Sequence, residues 1–217
     1  MIEFTLWDIL RNLLLAARWT ILLSLIAFAS GGLVAGLVTL GRISEAWAPR
    51  VAAKAYIAVL QGTPLLVQLF LAFFGLALLG FNVTPLAAAA LALTLYTSAF
   101  LAEIWRGAIE SVPRGQWEGA KSVALSRWQQ MRFIILPQAL KVGVAPTVGF
   151  SVQVVKGTAL ASVIGFVELT KAGSVIVNAT FDAFRVYGFV ALFYFALCYP
   201  LSLGAKALER RMAVQGH

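Results

Sequence analysis

"EGAKSVALSRWQQMRFIILPQ", residues 118–138, decides how the rest of the chain is read. It is amphipathic and basic, it ends in an apolar run closed by Pro137, and the segments around it are almost free of charge. The whole chain is 61% hydrophobic and only 12% charged, with a mean hydropathy of +0.88. A soluble domain is roughly 45–50% apolar and about 25% charged. The contrast predicts an all-α membrane protein with one long, structured, water-compatible insert.

The net charge of +8 does not predict a nucleic-acid partner, because the charges are spaced between apolar spans rather than gathered on one face. A lone cysteine, Cys198, excludes an internal disulfide and sits in an apolar run, where it reads as a packing residue. The one histidine is His217, so a histidine-based metal site, a catalytic triad and an H-E-x-x-H motif are excluded. There is no G-x-S-x-G either. No catalytic residue and no metal ligand set is expected, and the chain is not expected to be an enzyme. The N-terminal "MIEFTLWDILRNLL" carries Glu3 and Asp8, a poor signal-peptide start, so the first span is expected to be retained.

A helix of about 20 apolar residues crosses the hydrocarbon core. Residues 19–41 hold no charge and make the first span. Residues 55–102 hold none either and divide at "GFNVTP", 80–85, giving spans near 55–79 and 86–105. A fourth span runs over about 142–165 with a single charge, Lys156, and a fifth over 186–205. These five spans form a single transmembrane domain, 1–217. The loops 42–54, 106–141 and 206–211 carry twelve of the seventeen Lys and Arg residues. The positive-inside rule then puts the N-terminus outside and the C-terminus and the 106–141 loop in the cytoplasm. Ala27, Gly31 and Ala35 put small residues on one face of the first span, with internal packing favoured over a dimer contact.

Within the insert, Gly115 as N-cap would place Glu118 at N3, and Trp117, Ala120 and Ala124 on one face of a short helix. A second start follows at Ser126 with Gln129 three residues on, a capping box, and an apolar stripe of Trp128, Met131 and Ile135. Pro137 disfavours helix at Leu136 and is expected to end it. Helices this short are marginal in water and need a surface to lie on. The capping signals argue against disorder, and a connection this long is usually functional.

Residues 118–140 resemble the EAA loop of ABC-importer membrane subunits: Glu118, Gly119 and Ala120 stand at the Glu-Ala-Ala, and "ILPQ" at the close. "QGTPLLVQLF" (61–70), "YTSAFLAEIWRGAIESVPRGQ" (96–116) and "KGTALASVIGFVEL" (156–169) are similar to the polar amino-acid branch of that family. The resemblance covers nearly the whole chain. Gly119 replaces the usual Ala, Ala124 stands where the family has its turn Gly, Gln61 replaces an Arg, and "GTAL" replaces Asp-Thr-Ser-Leu. If that turn needs positive φ, Ala124 costs about 1 kcal/mol.

The resemblance implies a type I ABC-importer permease in a bacterial cytoplasmic (inner) membrane. Gly115, Trp117, Glu118, Gly119, Ala120, Ala124 and Pro137 would belong to a coupling segment seated on a cytoplasmic ATPase subunit. The implied partners are the ATPase subunits, a second permease subunit in a homo- or heterodimer, and an extracytoplasmic solute-binding protein. The chain has no G-x-x-x-x-G-K-[ST], so no cofactor is expected on it; ATP and Mg would be bound by the partner ATPase. The implied work is alternating-access import of a polar amino acid.

Lys156 is the one ionisable group deep in a span, which by default suggests a function. Gln153 lies one turn away, and Gln61 and Gln68 stand a heptad apart on span two. In a two-subunit cavity Lys156 could meet a substrate carboxylate; otherwise it is an ion-pair partner or a snorkelling side chain. Thr158 joins the candidate path set. Gln68 reads more readily as an interhelical hydrogen-bond partner, and Asn178 as a residue of the external mouth or a turn cap. No deep Asp or Glu is evident, which leans the cargo toward neutral or acidic amino acids, and Glu103 reads as an ion-pair partner of Arg106. An ion-coupled secondary transporter would need deep carboxylates, broken helices or repeats. An anion channel could use Lys156 as a ring but leaves the insert unexplained.

Overall fold

The computed structural model describes residues 5–214; Glu3 and His217 lie outside them. All regular structure among the described residues is helical. In chain order the helices are α1 (Leu6–Arg42), α2 (Trp47–Gly62), α3 (Leu65–Leu78), α4 (Pro85–Glu110), α5 (Arg114–Ser122), α6 (Arg127–Ile164), α7 (Leu169–Thr180) and α8 (Ala183–Val214). α1, α4, α6 and α8 are each long and apolar enough to cross a bilayer, and α2 with α3 makes a fifth candidate if the bent pair counts as one span.

α1 starts thirteen residues before the uncharged run because Thr5 and Asp8 cap it reciprocally. The Asp8 N–H donates to Thr5 Oγ1 at 3.2 Å and the Thr5 N–H to Asp8 Oδ2 at 3.0 Å. At 37 residues α1 is about 55 Å long, well beyond the roughly 30 Å hydrocarbon core. Its small-residue face packs inward: Ala27 and Ala35 are fully buried, and a Cβ added at Gly31 would stand 2.7 Å from Thr97 Cβ on α4. This close approach builds the main core, in which Leu23, Leu69, Leu93, Leu101 and Val154 join the two helices to α3 and α6. A second cluster seats Ile9 and Leu13 of α1 against Ile176 of α7 and Val190 of α8.

The residues 55–79 do not form one straight helix. α2 and α3 meet at Thr63–Pro64 with a bend of 102°. Pro64 supplies no N–H and disfavours helix at the residue before it, so Thr63 is extended at φ −113°, ψ 137°. The expected turn over 80–85 is present: Gly80 is left-handed at φ +88°, and Thr84 Oγ1 caps α4 by accepting from the Ala87 N–H at 3.2 Å.

Pro137, by contrast, ends nothing. α6 runs from Arg127 through Pro137 and Pro146 to Ile164. A π-helical turn over Gln130–Ile135 precedes Pro137, with the Leu136 N–H reaching back five residues to Met131 O. The wider turn accommodates a residue that has no donor and would clash with the carbonyl four residues earlier. The second short helix of the insert is therefore the first part of α6 rather than a separate element.

Candidate functional site

The insert is built on the end of α4. Val112 and Pro113 turn the chain, and α5 begins at Arg114 with Pro113 as its N-cap. Gly115 is thus not the N-cap and Glu118 closes no capping box. Pro113, at φ −54° and ψ 138°, already sets the entry. Trp117 packs on a small apolar cluster of Ala108, Ile109, Ile135 and Ala139, and Ala120 is buried on the same side of α5. Gly115, Glu118, Gly119 and Ser122, at i, i+3, i+4 and i+7, form the opposite, exposed stripe. A Cβ at Gly115 or Gly119 would meet nothing within 4 Å, so this face is smooth and open, and Gly in place of Ala at 119 relieves no clash.

The end of α5 is a Schellman turn. The Leu125 N–H reaches Ala120 O at 3.3 Å, the Ala124 N–H reaches Lys121 O at 2.9 Å, and Ala124 takes φ +56°. Ala124 is exposed in that turn and does not share the buried face of Trp117 and Ala120. The capping box at Ser126 is present. The Ser126 N–H donates to Gln129 Oε1 at 2.8 Å and the Gln129 N–H to Ser126 Oγ at 3.4 Å. Of the second apolar stripe, Ile135 is fully buried, whereas Trp128 is 69% exposed because the π turn rotates it off the packed face.

Ion pairs fasten this end. Arg106 binds Glu103, donating from Nε at 2.9 Å, and also Glu110; Arg42 of α1 approaches Glu103 at 3.4 Å. Arg127 pairs with Glu45 in the α1–α2 elbow, and Gln138 donates to Gln116 at 3.3 Å across α6 and α5.

The second site is the helix break and the part of α6 near it. Gln68 is buried, and its amide nitrogen spans the bend, donating to Leu60 O at 2.8 Å, Thr63 Oγ1 at 3.0 Å and Thr63 O at 3.1 Å. It fills carbonyls that the end of α2 leaves without helical donors. Gln61 donates to Ala99 O of α4 at 3.4 Å. On α6, Phe150 and Val154 face the main core and Val152 and Val155 face Cys198 of α8. Gln153 and Lys156 occupy the arc between, exposed and uncovered by this chain, and no salt bridge among the described residues includes Lys156. Thr158 is fully buried and donates to Val155 O at 2.7 Å, so it does not share that face. Asn178 is exposed on α7, a different helix. Of the five expected path residues, then, only Gln153 and Lys156 share an open face.

One carboxylate escaped the sequence reading. Glu168, between the fourth and fifth expected spans, is fully buried within the fold. It caps α7, accepting from the Thr170 and Lys171 N–H groups at 2.9 Å each and from Tyr194 Oη at 2.7 Å. Burial pushes its carboxyl up and these donors oppose the rise. The signal was its place between an apolar run ending at Val167 and the helical pattern from Leu169; glutamate is not among the favoured N-caps.

With four helices long and apolar enough to cross a bilayer, and a fifth if the bent pair is one span, the fold is that of a multi-pass membrane component. The sequence matches the family of binding-protein-dependent transport system inner membrane components over residues 31–214. It is 35% identical over 212 residues to the glutamine transport system permease protein GlnP of Escherichia coli, covering 96% of each chain. It is also 35% identical over 195 residues to the probable amino-acid ABC transporter permease protein YckA of Bacillus subtilis, covering 90% of this chain and 86% of that one. Its fold matches the crystal structure of an amino acid ABC transporter with histidines at a TM-score of 0.89 and 31% identity, over 97% of this chain and 100% of that one. The chain belongs to the binding-protein-dependent transport family: it is an inner-membrane permease subunit of an ATP-driven importer, and the ATPase is a separate subunit.

Proposed function

We propose that the chain forms one half of a two-fold transmembrane unit that passes a polar amino acid into the cytoplasm by alternating access. The relatives named for glutamine and amino-acid transport support that cargo class. Five crossings, with α2 and α3 together as the second, put the N-terminus outside and the C-terminus and the insert inside, in line with the distribution of Lys and Arg. An external binding protein delivers the cargo. Two ATPase subunits bind ATP and Mg, each receiving α5 by its exposed Gly115–Glu118–Gly119 face. Trp117 and Ala120 brace that face from behind, the Ala124 turn ends it, and Pro137 lies in the helix that follows.

The observation that carries the path assignment is the uncovered arc of α6. A charge in a membrane helix is costly and normally finds a partner within its own bundle. Lys156 has none here, and Gln153 stands beside it. Across a two-fold axis this arc faces a second permease subunit and encloses the path, where the ammonium meets the substrate carboxylate. Gln68 and Thr158 act behind the path by holding the helix ends that shape it, and Asn178 lies toward the outer mouth. Glu168 is spent on capping α7, so cargo with a neutral or acidic side chain fits this chain best.

Lys156→Met keeps the bulk and removes the charge. A charge-assisted hydrogen bond is worth about 1.5–3 kcal/mol, so uptake by reconstituted transporter falls about tenfold or more while assembly and basal ATP hydrolysis hold. A well-assembled variant with full uptake would remove Lys156 from the path.

A further inference from the structure

The first two turns of α2 carry a feature that import does not use. Trp47, Arg50, Val51 and Lys54, at i, i+3, i+4 and i+7, form one exposed stripe, with Trp47 71% and Val51 41% accessible. The packed side of α2 adjoins this stripe: Ala53 and Ile57, three and seven residues past Arg50, are buried, and a Cβ at Gly41 would lie 3.3 Å from Ala53 Cβ. That contact sets the stripe beside the point where the uncharged run 19–41 of α1 gives way to Arg42.

The neighbouring arginines are matched within the chain, Arg42 and Arg106 by Glu103 and Arg127 by Glu45. Among the described residues Arg50 and Lys54 make no salt bridge. Like charges one turn apart repel, and no acid lies on their stripe to relieve them. Arg50 also borders an open cavity of about 320 Å³ between the elbow and the insert, whose acids Glu45 and Glu110 are paired with Arg127 and Arg106.

We propose that Trp47, Arg50 and Lys54 form a binding site for the headgroup of an anionic phospholipid. The phosphate diester lies between the guanidinium and the ammonium, and the indole sits at the depth of the ester groups, where tryptophan is enriched. Clustered basic residues beside a membrane helix bind anionic headgroups, each contributing about a fivefold factor in affinity. The site depends only on the membrane location of the chain, so it stands or falls separately from the cargo, the path and the orientation.

The test is thermal stabilisation of the detergent-solubilised transporter titrated with phosphatidylglycerol, phosphatidylcholine or inorganic phosphate. Phosphatidylglycerol stabilises the wild type; the other two do not. In R50Q/K54Q the half-maximal phosphatidylglycerol concentration rises about thirtyfold, and in R50K/K54R it stays within about threefold. If the double variant does not assemble, R50Q and K54Q singly each give about fivefold. Equal stabilisation by phosphatidylcholine or by phosphate overturns the proposal, as does an unchanged midpoint in the Gln variants. A response seen only after the ATPase is stripped away also overturns it, because the stripe is then a protein contact.

Discussion

At the base of the molecule Arg106 is held by Glu103 and Glu110, Arg127 by Glu45, and the Ser126–Gln129 box closes on itself. Farther along α6, Gln153 and Lys156 are exposed, and among the described residues Lys156 makes no salt bridge. Both regions are polar islands on an apolar protein. The first is satisfied by the chain itself, and its polar groups hold elements together. The second has no ion pair among the described residues, which suits the path role proposed for it. Substitutions among satisfied or packed groups should therefore act on stability, and substitutions on the open faces should act on transport with stability unchanged.

The largest effect is expected where the chain is most tightly closed. Gly31→Val places new carbon 2.7 Å or less from Thr97 Cβ and has to push α1 off α4. Overpacking of this kind costs about 1–3 kcal/mol or more, and the variant should lose most of its monodisperse yield in size-exclusion chromatography. A normal profile would mean that the two helices do not approach as closely as described.

Gln68→Leu comes next. It keeps the bulk but strips the donors from Leu60 O and Thr63 O at the bend. Leaving buried carbonyls unpaired costs about 1–3 kcal/mol, so the detergent-solubilised protein should unfold at a clearly lower temperature. If the melting temperature holds while uptake collapses, Gln68 is a path residue and not a clamp.

The smallest effect has the opposite sign. Ala124 is held at φ +56°, where an L side chain is strained and glycine is not. Ala124→Gly should stabilise the protein by about 1 kcal/mol, visible as a modest rise in the melting temperature. A fall would show that the turn relaxes without strain in the assembled transporter.

Two prolines show what the sequence made legible and what it did not. Local sequence marked one of the two places: Pro137 stood out as a helix terminator, whereas Pro64 lay inside the single span expected over 55–79 and "QGTPLL" carried family signal alone. Neither outcome followed from the proline alone. At Pro64 the chain bends by 102° because Gln68 fills the carbonyls that the break exposes. At Pro137 the helix continues because a π turn widens the ladder before it. These outcomes depend on hydrogen-bond partners several residues away, which a local reading does not supply.

The same limit explains the site residues. Lys156 was visible as the one charge in an apolar run, and the face it shares with Gln153 followed from helical spacing. Thr158 stands four residues past Val154 and three past Val155, both buried, so helical spacing sets it on the packed side, away from Gln153 and Lys156. Glu168 lies past the expected end of the fourth span with no local sign of its burial, and only the fold brings Tyr194 against it.

The claim that the insert is a coupling element rests on the exposed stripe of α5, and Glu118 is its one charged member. The most direct test is cargo-stimulated ATP hydrolysis by the reconstituted transporter carrying Glu118→Lys. The account predicts normal membrane insertion and an unchanged melting temperature, because Glu118 is exposed, with the stimulation by loaded binding protein reduced severalfold. Wild-type stimulation in a correctly assembled Glu118→Lys transporter would contradict it.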